Sequence, residues 1–116
     1  MERIVIYHNP SCGQSRSAHR ILSDRKIEFD TIEYLKHPPD RATLARILAM
    51  LEAPPADLVR KDKRFAALGL KAEDYMARDS VIDLLLKYPE LMQRPIVIRG
   101  ERAMIARPGE KVTELL

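Results

Sequence analysis

The apolar positions change period twice within the first 35 residues. Residues 3–8 alternate and then run apolar through β-branched Ile4, Val5 and Ile6, a pattern that predicts a strand buried on both faces and ended by Asn9-Pro10. Over 13–25 the apolar positions Ala18, Ile21 and Leu22 recur at helical spacing, so "SRSAHRILSDR" predicts an amphipathic helix. A second strand is predicted over 28–35, giving a β-α-β opening of the kind that forms parallel, right-handed units. Pro38-Pro39 stop that strand. Asp40 suits an N-cap, and Leu44, Ile47, Leu48 and Leu51 mark one face of a helix that Pro54-Pro55 end. Residues 57–67 and 72–88 are predicted helical in shorter pieces, broken at Gly69 and stopped by Pro89, with Val81, Leu84 and Leu85 in the core. In "RPIVIRGERAMIARP" two β-rich runs, 96–99 and 102–106, flank Gly100-Glu101 as a hairpin. A closing amphipathic turn over 110–116 carries Val112, Leu115 and Leu116.

The predicted order is therefore β-α-β, a helical block, then β-β-α. That order is similar to the thioredoxin-like fold: an α/β domain with a mixed four-stranded sheet, here one domain over 1–116 with a helical insertion at about 40–92. In thioredoxin-like proteins the strand entering the hairpin starts with a cis proline beside the reactive cysteine, the place Pro95 occupies. Taken locally, Pro95 also fits a trans proline at the first residue of a strand.

A chain of 116 residues with 46% hydrophobic residues suffices for one core. No apolar run approaches the roughly 18 residues needed to span a bilayer, and no stretch has the layout of a signal peptide, so a soluble, cytoplasmic protein without membrane association is expected. The net charge of +3 is spread along the chain and aromatics are only 5%, so a solvated surface and no nucleic-acid partner are expected. His8, His19 and His37 lack ligand-like spacing, and a single cysteine builds neither a disulfide framework nor a thiolate zinc cluster. No metal is expected.

That cysteine, Cys12 in "VIYHNPSCGQSR", stands where the first strand has ended and the first helix begins. A thiol is a useful nucleophile as a thiolate, and its unperturbed pKa near 8.5 leaves it mostly protonated at neutral pH. A helix N-terminus corrects this. The amides of Gly13, Gln14 and Ser15 would point toward the sulfur, the Ser15 hydroxyl can donate another hydrogen bond, and His8 and Arg16 can add positive potential. A cysteine merely packed under the helix is the alternative, as is a scaffolding role for His8. Asn9-Pro10 is expected to shape the loop, with the Asn9 side chain bonding local backbone. A phosphatase-type loop does not fit, because Cys12 and Arg16 enclose only Gly13, Gln14 and Ser15, too few residues to wrap an oxyanion.

Taken together, "IYHNPSCGQSR", "EYLKHPP", "LVRK", "LMQRPIVI" and "ARPGEKV" resemble, in order and over essentially the whole chain, the glutaredoxin-coupled arsenate reductase family. The resemblance implies that Cys12 is the nucleophile and that Arg60, Arg94 and Arg107 bind the oxyanion. It also implies arsenate as substrate, glutathione as co-substrate, glutaredoxin as partner, a monomer and no bound cofactor. The resemblance further implies that glutathione attacks a Cys12-arsenate adduct, that glutaredoxin reduces the mixed species, and that hydrolysis of a Cys12-bound arsenic(III) releases arsenite. One thiol can form the adduct but cannot supply both electrons, which suits a chain with a single cysteine. Arginine suits the anion because guanidinium stays protonated and can bind two oxygens at once.

Other readings stay open on the sequence. A housekeeping paralogue of these reductases with another oxyanion or thiol substrate is one alternative. "CGQS" also resembles the loop of monothiol glutaredoxins that carry iron-sulfur clusters with glutathione, although Gln93-Arg94 before Pro95 and the helical insertion depart from them. Thioredoxin-like relatives that bind RNA polymerase offer a regulatory alternative.

Overall fold

The computed structural model describes residues 3–116, which form two compact units, residues 3–37 with 94–116 and residues 38–93. In the first unit β1 (Ile4–His8), β2 (Phe29–Glu33), β3 (Ile96–Arg99) and β4 (Arg102–Ile105) make one sheet in the order β2-β1-β3-β4. β1 runs parallel to β2, with Ile4 opposite Phe29, and antiparallel to β3, with Ile6 opposite Val97. β3 and β4 are the expected hairpin, and Gly100, the first residue of its two-residue loop, has φ +60°, as a II′ turn requires. Helix α1 (Gly13–Asp24) connects the two parallel strands, and a 3-10 helix (Gly109–Leu115) ends the chain. One core joins them. Ile4 and Ile6 from β1, Ala18 and Leu22 from α1, Val97 from β3, and Ala106, Val112 and Leu115 are all buried in it. The fold is thioredoxin-like, with a mixed four-stranded sheet.

The second unit is helical. α2 (Arg41–Met50) starts at Asp40, whose carboxylate accepts from the Thr43 amide at 2.8 Å, and buries Leu44, Ile47 and Leu48. α4 (Arg78–Lys87) packs on it through a face that buries Val81, Ile82, Leu84 and Leu85. No continuous helix covers 57–67, in contrast to the periodicity. A 3-10 turn (Pro55–Leu58) gives way to extended Val59, which bridges Met92; the Arg60 amide donates to Leu91 O at 2.6 Å and the Gln93 amide to Leu58 O at 2.8 Å. Asp62 then restarts a helix, α3 (Lys63–Ala67), by accepting from the Arg64 and Phe65 amides. Likewise, within 72–88 only a 3-10 turn (Ala72–Asp74) precedes α4. Among the described residues no helix is long and apolar enough to cross a membrane.

Gly109 is the closest approach in the first unit. Its amide donates to Gln14 Oε1 at 2.8 Å, and a Cβ on it would lie 2.5 Å from the Gln14 carbonyl oxygen and 2.9 Å from the Ala18 nitrogen. Both are helix backbone and cannot turn aside. Gly109→Ala is therefore expected to push the C-terminal segment off α1 and to lower stability by about 1–3 kcal/mol, the usual range for overpacking. Urea unfolding of the two proteins measures the difference.

Candidate active site

Cys12 is the N-cap of α1, with extended backbone (φ −97°, ψ 124°) and 8% exposure. The turn before it is built on Asn9. Its carbonyl accepts from the Cys12 amide at 3.0 Å, its Oδ1 accepts from the Ser11 amide at 3.0 Å, and its own amide donates to Ser15 Oγ at 3.0 Å. Asn9 thus ties the strand end to the first turn of α1, the loop-shaping role expected of it. No acidic residue occupies that first turn, and the Ser15 and Gln14 amides act on the sulfur.

From the other end of the chain come two arginines. Arg107 Nη1 lies 3.7 Å from Cys12 Sγ and also donates to the Arg94 carbonyl at 2.9 Å. The Arg94-Pro95 peptide is cis, as the thioredoxin-like order implies, and so is Arg107-Pro108, which nothing in the sequence singled out. Burial pushes the Cys12 thiol up. The Ser15 amide, the Arg94 and Arg107 guanidiniums and the Gln14 amide outweigh it, and the thiol falls from an ordinary 9.0 to about 7.

Three other residues expected near the sulfur take different places. The buried Ser15 hydroxyl pairs with His8 Nδ1 at 2.6 Å and accepts from Asn9, so it is the backbone amide of Ser15 that acts on the thiol. His8 reaches the site through Ser15 while its ring stacks on His19, with centroids 4.7 Å apart. Burial and then the His19 charge lower its pKa, which keeps the imidazole neutral near pH 7. Arg16 is exposed and donates to the Pro10 carbonyl at 3.0 Å, and its charge helps to lower the His8 pKa. Arg60 belongs to the helical unit, where Asp62 Oδ2 accepts from its Nε at 2.8 Å and fixes the guanidinium plane. Among the described residues no group of three or more His, Cys, Asp and Glu could hold a metal ion.

The model of the ArsC family matches residues 7–115. The chain belongs to the ArsC family. It is 38% identical to the arsenate reductase of Escherichia coli (strain K12) over an alignment that covers 100% of this chain and 82% of that protein. It is 35% identical to the uncharacterized protein YfgD of the same organism, covering 99% and 98%. Among solved structures, the arsenate reductase from Vibrio cholerae superposes with a TM-score of 0.88 at 30% identity, covering 99% of this chain and 98% of that one.

Two side chains near this ArsC-family site carry no signal in the local sequence, Gln14 having been expected only through its amide. Gln14 uses its side chain to hold Gly109, two residues from Arg107, while its backbone faces the thiol. Tyr34, in the turn after β2, is fully buried, and its hydroxyl lies near Asn9 and Arg94.

With the thiol at about 7, roughly half of Cys12 is thiolate at pH 7, against about one per cent for a thiol at 9.0. The iodoacetamide rate should accordingly titrate with a midpoint near 7, and Arg107→Gln, which removes the charge beside Sγ, should move the midpoint up. A wild-type midpoint near 9, or one unmoved by Arg107→Gln, contradicts this account of the thiol.

Proposed function

We propose that this chain is an arsenate reductase in which Cys12 is the nucleophile, glutathione and glutaredoxin are the reductants, and Arg60, Arg94 and Arg107 hold the oxyanion. The observation that carries the reading is the Arg107 guanidinium at 3.7 Å from a sulfur lowered to about 7. Arsenate is a dianion near neutral pH, so a thiolate that attacks it brings negative charge toward negative charge. Fixed guanidiniums offset that repulsion better than ammonium groups, because each can bind two oxygens in one plane. Names carried by relatives at 38% and 30% identity point the same way.

The chemistry closes with one cysteine. The Cys12 thiolate forms an S–As(V) bond, and one arsenate oxygen takes up protons and leaves as water. Glutathione adds its thiolate to arsenic in the same manner. A glutaredoxin thiolate then attacks the glutathione sulfur, the electron pair of the S–As bond stays on arsenic, and As(V) becomes As(III). The two electrons thus come from two thiols that depart as one mixed disulfide. Water displaces Cys12 from the arsenic(III), which releases arsenite and restores the thiol.

A coupled assay with arsenate, glutathione, glutaredoxin and nicotinamide-dependent regeneration tests the reading. Turnover is expected only with all components present, and Cys12→Ser should abolish it without loss of fold. Turnover with thioredoxin in place of glutaredoxin and glutathione would overturn the assignment of reductant. Arg60→Lys and Arg107→Lys keep the charge but lose the planar fork, and each should lower kcat/KM for arsenate by about 2 kcal/mol or more in transition-state terms. Unchanged arsenate kinetics in both variants would remove the arginine cradle.

A further inference from the structure

Past β4 the chain soon runs out of backbone donors. The Ala106 amide still donates to the Pro95 carbonyl at 3.0 Å, but the Arg107 amide turns back on Ile105 O at 3.0 Å, and Pro108 has no N–H to give. Gly109 therefore carries the first amide after that turn that can bind another element, and it donates to Gln14 Oε1 on α1 at 2.8 Å. The final 3-10 helix begins at this residue, so the Gln14 side chain caps it from outside. The approach is close as well. A Cβ on Gly109 would stand 2.6 Å from Ser17 Cβ and 2.5 Å from Gln14 O.

What this anchor holds is Arg107. Its backbone lies two residues before Gly109, and its guanidinium reaches Cys12 Sγ at 3.7 Å and the Arg94 carbonyl at 2.9 Å. Arginine has many rotamers, so a charge kept at one distance from the sulfur requires that both ends of the side chain be fixed. The Arg94 carbonyl holds the head, and the bond from Gly109 to Gln14 ties the base to the helix that carries the sulfur. Val112 and Leu115 also share a core with Ala18 and Leu22 of α1. Such apolar packing is non-directional and leaves the preceding turn room to slide, whereas the hydrogen bond is directional and sits at the turn itself.

We propose that Gln14 is a positioning residue, whose side-chain oxygen holds the Arg107 turn against α1 and so keeps the Arg107 guanidinium beside Cys12 Sγ. One residue thereby serves the sulfur twice, through its own amide and through the arginine that its side chain keeps in place. This role rests on the Arg107 charge acting on the thiol and holds whatever the substrate.

Gln14→Met keeps the length of the side chain and removes the acceptor. Its expected effect is a rise of about 0.3–0.5 unit in the midpoint of the iodoacetamide rate, less than the rise in Arg107→Gln. In an Arg107→Gln background the same change should leave the midpoint where Arg107→Gln alone puts it, since a residue that acts through Arg107 then has nothing to position. A purely structural role would lower the melting temperature in both backgrounds without this dependence. A midpoint unmoved by Gln14→Met overturns the proposal, as does an equal rise in both backgrounds, which would make the effect of Gln14 independent of Arg107. Gln14→Asn, too short to reach Gly109, carries the same expectations should Gln14→Met not fold. If neither variant folds, the bond is structural and the proposal is overturned. If Arg107→Gln itself leaves the midpoint unmoved, the account of the thiol and this proposal fall together.

Discussion

The Gln14 and Ser15 amides at the N-terminus of α1 act on the Cys12 sulfur, and no acidic side chain in the first turn competes for them. An Asp, Ser or Thr in the N-cap position would fill the amides with its own oxygen. Here the N-cap is the cysteine, the first turn carries no carboxylate, and the Ser15 hydroxyl is occupied by His8 and Asn9. The helix thus stabilises charge on the sulfur. Burial works against this, and the Ser15 amide, the Arg94 and Arg107 guanidiniums and the Gln14 amide together outweigh it. The same groups that create the thiolate are those an approaching oxyanion would meet.

The legible parts of the fold were those whose cause is local. β1, α1 and the β3–β4 hairpin follow from period and turn chemistry within a few residues, and Asp40 caps α2 as its side chain dictates. The break at Val59 has a distant cause. Its partner is Met92, and no periodicity around 57–67 encodes a bridge to a residue 33 positions later. Asp62 was a readable cap, but the helical spacing of its neighbours masked it.

Within the site the same division holds. The position of Cys12 was legible because a strand end and a helix start are both local, and Arg94 and Arg107 came from the resemblance of whole segments. The direction of each side chain was not legible. Arg16 turns to the Pro10 carbonyl because the turn leaves that oxygen within its reach, and Gln14 turns to the Gly109 amide 95 residues away. Tyr34 reads as an ordinary core aromatic, and its place near Asn9 and Arg94 is set by tertiary packing alone.

The same separation of 95 residues lies between Arg107 and Cys12, with the whole helical unit in the chain between them. Closing so long a loop demands conformational entropy that local structure around the cysteine cannot offset, so the contact forms only after the C-terminal strands have been made and have paired. During synthesis the cysteine accordingly remains a thiol without its arginines, less reactive toward oxidants and electrophiles than in the finished chain. The arginine share of its nucleophilicity thus comes only with the C-terminal strands, while the share of the Ser15 and Gln14 amides needs no more than the first turn of α1.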